Sequence, residues 1–201
     1  VPGAVVDPAV RRAWEDTSTL LASLGHDVED IAAPYTAALI PSFEVMWSLG
    51  ATTLPVPEGA EVLLQPLTRW LRETGLALTG AQVAAAQLAL SQHCRDQIVA
   101  TAAYDVLLAP VCTRPPVPVG WFFTDGLGAP DFERQKQFSA YTAIYNMTGQ
   151  PAVSIPLQWT PEGLPLGMML VGRPADEATL IALSAQLEQA RPWAQRTPAM
   201  W

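Results

Sequence analysis

The stretch "YNMTGQPAVSIP" (145–156) decides how this chain is read. Asn146 and Gly149 tolerate the left-handed backbone that ends a helix, and Pro151 prevents the helix from continuing. In the residues that follow, Val153 and Ile155 face one side of an extended chain, with Ala152 and Ser154 on the other. The stretch therefore predicts a helix that stops abruptly and passes straight into a buried strand.

The segments on either side follow the same logic. Downstream, strand 152–157 leads through a Pro-Glu-Gly turn (161–163) to strand 166–172, and Asp176 caps a last helix. Upstream, "DVLLAP" (105–110) is a short continuous apolar run, the signature of a strand buried on both faces. Between them lies a proline-rich loop, 110–130, too long for a simple connection, and then a helix over 131–146 that Asp131 would cap. That helix carries Phe132, Phe138, Tyr141 and Tyr145 on its apolar positions.

The first half of the chain reads as mostly helical. Asp7-Pro8 opens a helix with Val10, Ala13, Trp14, Thr17, Leu21 and Leu24 on one stripe, and Gly25 closes it. "HDVEDIA" (26–32) suggests a short strand. Helices follow over 35–50, interrupted by Pro41, over 60–74 and over 80–103. The last carries the stripe Val83, Ala86, Leu90, Cys94 and Ile98. Strands alternating with helices predict an α/β fold, a mixed β-sheet flanked by α-helices, in one domain over 1–201.

Composition narrows the function classes. Half of the 201 residues are hydrophobic and only 15% are charged, below the usual quarter. Much of the surface is thus expected to be covered, by more of a larger fold or by a second subunit, and a homo-oligomer fits the same observation. A formal net charge of −8 repels phosphate backbones and anionic membranes, so neither nucleic acid nor membrane is an expected partner. Two cysteines too far apart for a metal knuckle, with only two histidines, offer no metal site, and no cofactor is expected. The cysteine usage suggests a reducing, cytoplasmic location. The start at Val1 suggests a processed or truncated polypeptide.

No complete catalytic constellation is legible. Ser23 and Ser48 have a glycine two residues on but leucine or methionine two residues before, so neither makes a nucleophile elbow. Ser154 lies within a strand. Lys136 is the only lysine, in the polar patch "ERQK", and reads as part of a solvated face. Cys94 falls on an apolar stripe, and His26 and His93 have no partner in reach of sequence reasoning.

The series "YDVLLAPVCTRPPVPVG" (104–120), the run 145–190 and the terminal "PWAQRTP" (192–198) resemble the C-terminal half of amidase signature enzymes. The opening helix is similar to the unit that follows the family's catalytic region, and the likeness is weakest over 50–100. The resemblance implies hydrolysis or transfer of amide bonds by a serine, a second serine and a lysine. It places all three before Val1, so that an N-terminal half, on the same gene or a second chain, becomes the expected partner and this chain alone is expected to be inactive. No catalytic residue is assigned. What remains here is expected to supply the sheet and substrate pocket, with Trp121, Phe122, Phe138, Ser139, Tyr141, Thr142 and Asn146 as candidates for binding a small-molecule amide. Phe138 and Tyr141 read equally well as core aromatics, and Asn146 as a helix-end residue serving the backbone. The family's glutamine-dependent members place an acid near Ser139; its absence favours an uncharged, apolar or aromatic amide. A non-catalytic binding or scaffold subunit is the alternative, and an enzyme with an unrecognised site a third reading.

Overall fold

The computed structural model describes residues 1, 3–34, 36–123, 126 and 128–197. Thr124, Asp125 and Leu127 of the long loop, Tyr35 of the predicted second helix and Pro198 of the terminal motif lie outside them.

The centre of the fold is the strand formed by the apolar run that follows the Pro-Glu-Gly turn. β3 (Pro165–Gly172) lies between β1 (Val106–Pro110) and β2 (Ala152–Trp159), and both pairings are antiparallel. Met168, Met169, Leu170 and Val171 are all at most 4% exposed, so β3 is covered on both faces. Its period of two sorts them. Leu166, Met168 and Leu170 pack with Val10, Ala13 and Leu21 of α1 (Pro8–Ser23) and with Leu180 and Leu187 of α7 (Glu177–Ala190). Met169 and Val171 face the other way, onto Leu39 of α2 (Leu39–Thr52), Leu90 of α4 (Gly80–Ala100) and Ile144 and Tyr145 of α6 (Ala143–Thr148). A satellite core joins Leu67 and Leu71 of α3 (Pro66–Leu76) to Phe132 of α5 (Ala129–Phe138). Among the described residues no helix is long and apolar enough to cross a membrane.

The opening stretch folds as a lock between β2 and β3. Gly149 ends α6 in the left-handed conformation at φ 70°, its N–H donating to the Tyr145 carbonyl. Gln150 then donates from Nε2 to the Gly172 carbonyl at 3.0 Å, and the Gly172 N–H donates to the Pro151 carbonyl at 2.9 Å. Val153 and Ile155 pack inward while Ala152 and Ser154 are exposed, as the alternation predicts. Asn146, expected to take a left-handed conformation, instead remains in the body of α6, because Gly149 alone makes the turn.

Four local expectations are corrected. Residues 26–32 form no strand; the segment is exposed, held by His26 Nε2 to Gln186 at 2.8 Å and by Glu29 to the Tyr104 hydroxyl. A strand needs a partner edge, and its contacts to Gln186 and Tyr104 are side-chain ones. Pro41 does not interrupt α2, since it sits in the first turn, where its missing N–H is not needed. Asp131 is not a cap: Gly128 precedes α5 and Pro130 occupies its first turn, which leaves Asp131 inside the helix. The predicted helix 131–146 is two helices, α5 and α6, separated at residues 139–142. The reason lies 25 residues away in sequence. Buried Thr113 donates from its N–H to the Phe138 carbonyl at 2.9 Å and from Oγ1 to the Gln137 carbonyl at 2.9 Å. With those carbonyls turned to Thr113, the chain leaves helical geometry at Ser139 (φ −103°, ψ 45°).

In α4 the buried residues are Ala86, Leu90 and Gln97; Val83, Cys94 and Ile98 of the predicted stripe are half-buried. A Thr79/Gln82 capping box, unread in the sequence, starts this helix.

Candidate functional site

The long loop after β1 bends back so that its short helical turn Trp121–Phe123 meets the end of α5. Three of the predicted residues converge there. Trp121 and Phe122 contact edge to face at 5.0 Å between ring centres, Phe122 and Phe138 likewise at 5.1 Å, and Trp121 and Phe138 lie 6.2 Å apart. All three are half-buried, as an apolar surface ready to be covered would be. Ser139 follows Phe138 directly, outside the helix, and Thr142 turns back to donate to its carbonyl at 3.5 Å.

Tyr141 and Asn146 are not part of this group. Tyr141 lines a separate cleft of about 1100 Å³ beside β1, together with Tyr145, Arg11, Trp14 and the 26–34 segment. Burial raises the Tyr141 pKa against the opposing pull of Arg11. Burial pushes Tyr145 up to about 12, partly offset by Gln97, so both phenols stay neutral through the physiological range. Asn146 is exposed on α6.

Sequence reasoning missed the cations around Trp121. The Arg114 guanidinium lies 5.2 Å from the indole centre and that of Arg134 lies 5.5 Å from it. Arg134 also donates to the Trp121 carbonyl at 3.3 Å and sits 3.5 Å from the wholly buried Asp131 carboxylate, tying the loop to α5. No periodicity could show this, because Arg114 and Arg134 lie seven and thirteen residues from Trp121 in the chain.

The arrangement can bind and orient an apolar ligand. Among the described residues it offers no activated nucleophile. Burial alone would lower the Lys136 pKa, but hydrogen bonds and charge from Glu133 and Glu44 outweigh it and raise the value. Its ammonium, 2.6 Å from Glu133 and paired also with Glu44, is held protonated and cannot act as a base. It is half-buried and ion-paired, not the solvated group the sequence suggests. Ser48 is buried at the contact of α2 with α3, and Ser154 lies on the exposed face of β2.

Comparison with known proteins adds the family. The sequence profile of the Amidase family matches residues 2–181. AmiB2 of Mycobacterium tuberculosis, named as an amidase, is 32% identical over 194 residues, which are 94% of this chain and 40% of that protein. The 6-aminohexanoate-cyclic-dimer hydrolase of Paenarthrobacter ureafaciens is 27% identical over 215 residues, 97% of this chain and 43% of that one. Among solved structures, 6-aminohexanoate cyclic dimer hydrolase complexed with substrate superposes with a TM-score of 0.85 at 24% identity, over 97% of this chain and 44% of that one. A bacterial aryl acylamidase superposes at 0.75 with 21% identity, over 96% and 42%. These two likenesses establish the fold.

The matches correct the motif-based reading. Short motifs locate the resemblance in a C-terminal portion of the fold, a fragment inactive without an N-terminal half as partner. The profile runs through the helical stretch 50–100 and matches residues 2–181, so the likeness is to nearly all of this chain and not to C-terminal motifs alone, and the expectations of a fragment, a missing partner half and inactivity are not carried forward. The helical stretch carries no compact motif, which is why motif reading undervalued it. The chain spans about 40% of the length of the curated relatives it matches.

Proposed function

For a chain that belongs to the amidase family, as the match over residues 2–181 establishes, we propose that the whole protein hydrolyses carbon–nitrogen amide bonds of small molecules with an apolar or aromatic body. The observation that carries this reading is the convergence of Trp121, Phe122 and Phe138 immediately before Ser139. Half-buried rings give a ligand large contact area at low entropic cost, and Ser139, where the family's glutamine-dependent members place an acid, supplies no negative charge to pair with an ammonium group. The substrate is therefore apolar where it meets the rings and carries no amine at the Ser139 end. A reducing, cytoplasmic setting belongs to the same proposal, on the two unpaired cysteines Cys94 and Cys112.

The test is a panel of aryl and short alkyl amides assayed with the protein and with Trp121→Ala and Ser139→Ala. Turnover is expected, with the aryl-to-alkyl ratio of kcat/KM falling about tenfold in Trp121→Ala, the size of one lost aromatic contact. Ser139→Ala should shift preference among amides while the melting temperature stays nearly constant. No hydrolysis of any amide would overturn the activity. Equal losses on all substrates, together with a lowered melting temperature, would return these residues to the core.

A further inference from the structure

From the placement of Arg114 we infer that the aromatic site takes amides bearing an anionic group, a carboxylate above all, which Arg114 receives at the rim of Trp121. The inference rests on the amide reading of this site and adds the charge class of its ligand.

Two of the chain's eleven lysines and arginines stand within 5.5 Å of one indole centre, in a protein whose net charge is −8. Their roles differ. Arg134 is committed to the fold, through the Trp121 carbonyl and the buried Asp131 carboxylate. Arg114 is exposed, and among the described residues its one contact is the indole; the ion pairs there belong to Arg134, Lys136 and Arg173. Anchoring the loop does not require it, since Arg134 already does so. Stability does not favour it either: two like charges about one ring lie within about a Debye length and repel. An anion between solvent and the indole reverses that sign.

The chemistry of the side chain fits the same role. A guanidinium stacked on an aromatic face keeps its N–H fork directed outward and can bind a carboxylate through two parallel hydrogen bonds. The backbone of Arg114 is fixed by its neighbour Thr113, whose N–H, hydroxyl and carbonyl are all bonded, the last by the Asp7 N–H at 2.7 Å. A ligand whose apolar body covers Phe122 and Phe138 would therefore meet the cation at one edge, and a carboxylate on that edge would be bound in place.

The experiment is isothermal titration of the full protein, at low ionic strength, with two amides of equal length, N-phenylsuccinamate and N-phenylbutanamide. They differ only in a terminal carboxylate in place of a methyl group. The anion is expected to bind about tenfold or more tightly, the scale of one charge-assisted bidentate contact, and added salt should narrow the ratio. Arg114→Gln should bring the ratio near one, and Arg114→Lys should retain part of it as a point charge without the fork. A ratio near one in the unaltered protein, a ratio that survives Arg114→Gln, or binding of neither ligand overturns the inference. Absence of hydrolysis would count against the proposed activity alone, because the binding ratio is read without turnover.

Discussion

Two glycines in neighbouring helices should respond to the same substitution with opposite sign. Gly75 lies in α3 where that helix crosses α2, and a β-carbon placed there falls 2.2 Å from the Ser48 carbonyl oxygen and 2.6 Å from Thr52 Cγ2. Real β-carbons essentially never approach closer than 3.0 Å, and the blocking atom is backbone, so Gly75→Ala must push the helices apart or unwind the last turn of α3. Overpacking of this kind costs about 1–3 kcal/mol, against a helix-propensity gain of about 1 kcal/mol on replacing glycine by alanine. Because the blocking atom is backbone, the upper end of that cost applies, and the net expectation is a loss of about 2 kcal/mol, or a melting temperature lower by roughly 4–8 °C for a chain of this size. Gly50, in α2, would have nothing within 4 Å of an added β-carbon and has no positive φ, so Gly50→Ala keeps only the propensity gain and should stabilise. Urea and thermal unfolding followed by circular dichroism would measure both variants. If Gly75→Ala proved neutral or stabilising, the close approach of α2 to α3 would be wrong.

Thr113→Val preserves shape but removes the hydroxyl that donates to the Gln137 carbonyl, leaving a buried acceptor short of a partner; a loss of about 1–3 kcal/mol is expected, and an unchanged urea midpoint would refute it. The Glu44, Lys136 and Glu133 group predicts a stability plateau. Glu133, whose pKa is lowered by its hydrogen bonds to Lys136 and Gln137, contributes above its ordinary 4.5 and loses that as pH falls through the folded value. Lys136, with a raised pKa, contributes fully below its ordinary 10.5 and loses that as pH rises through its folded value. Because the carboxylates are largely exposed, the whole group is worth only about 0.5–1 kcal/mol, and Lys136→Met should flatten both shoulders of melting temperature against pH.

Local sequence rules succeeded wherever the determinant was itself local. Asp7, Pro8 and Gly25 bracket α1 as expected, with Asp7 accepting from the Ala9 N–H at 2.7 Å. At the other end, the His26 N–H reaches the Leu21 carbonyl beyond Gly25 at φ 94°, a Schellman closure. The strands at 106–110, 152–159 and 165–172 and the Asp176 cap were legible for the same reason. The break at Ser139 was not, because Thr113, which causes it, belongs to another element. Segment 26–32 failed as a strand because propensity cannot supply a pairing edge. In the candidate site Trp121 and Phe122 were named on the long loop and Phe138 on the helix after it, and the structure brings these three together, whereas Tyr141, in the break between α5 and α6, lines the cleft beside β1. Arg114 gave no signal beyond its place among prolines.

The two consecutive residues Thr113 and Arg114 connect the framework to the site. Thr113 is buried while Arg114, the next residue, is exposed. Thr113 is bonded to the start of α1 through its carbonyl and to the end of α5 through its N–H and hydroxyl. The same α5 end carries Phe138, so the distance between the Arg114 guanidinium and the aromatic cluster is set by one residue that touches neither ligand nor ring. A consequence follows for Thr113→Val. If Thr113 only stabilises the fold, the variant should bind the anionic and neutral amides with an unaltered ratio and merely melt earlier. If it also sets the position of Arg114, the ratio should fall while binding of the neutral amide persists, and measuring that ratio well below the melting temperature separates the two roles.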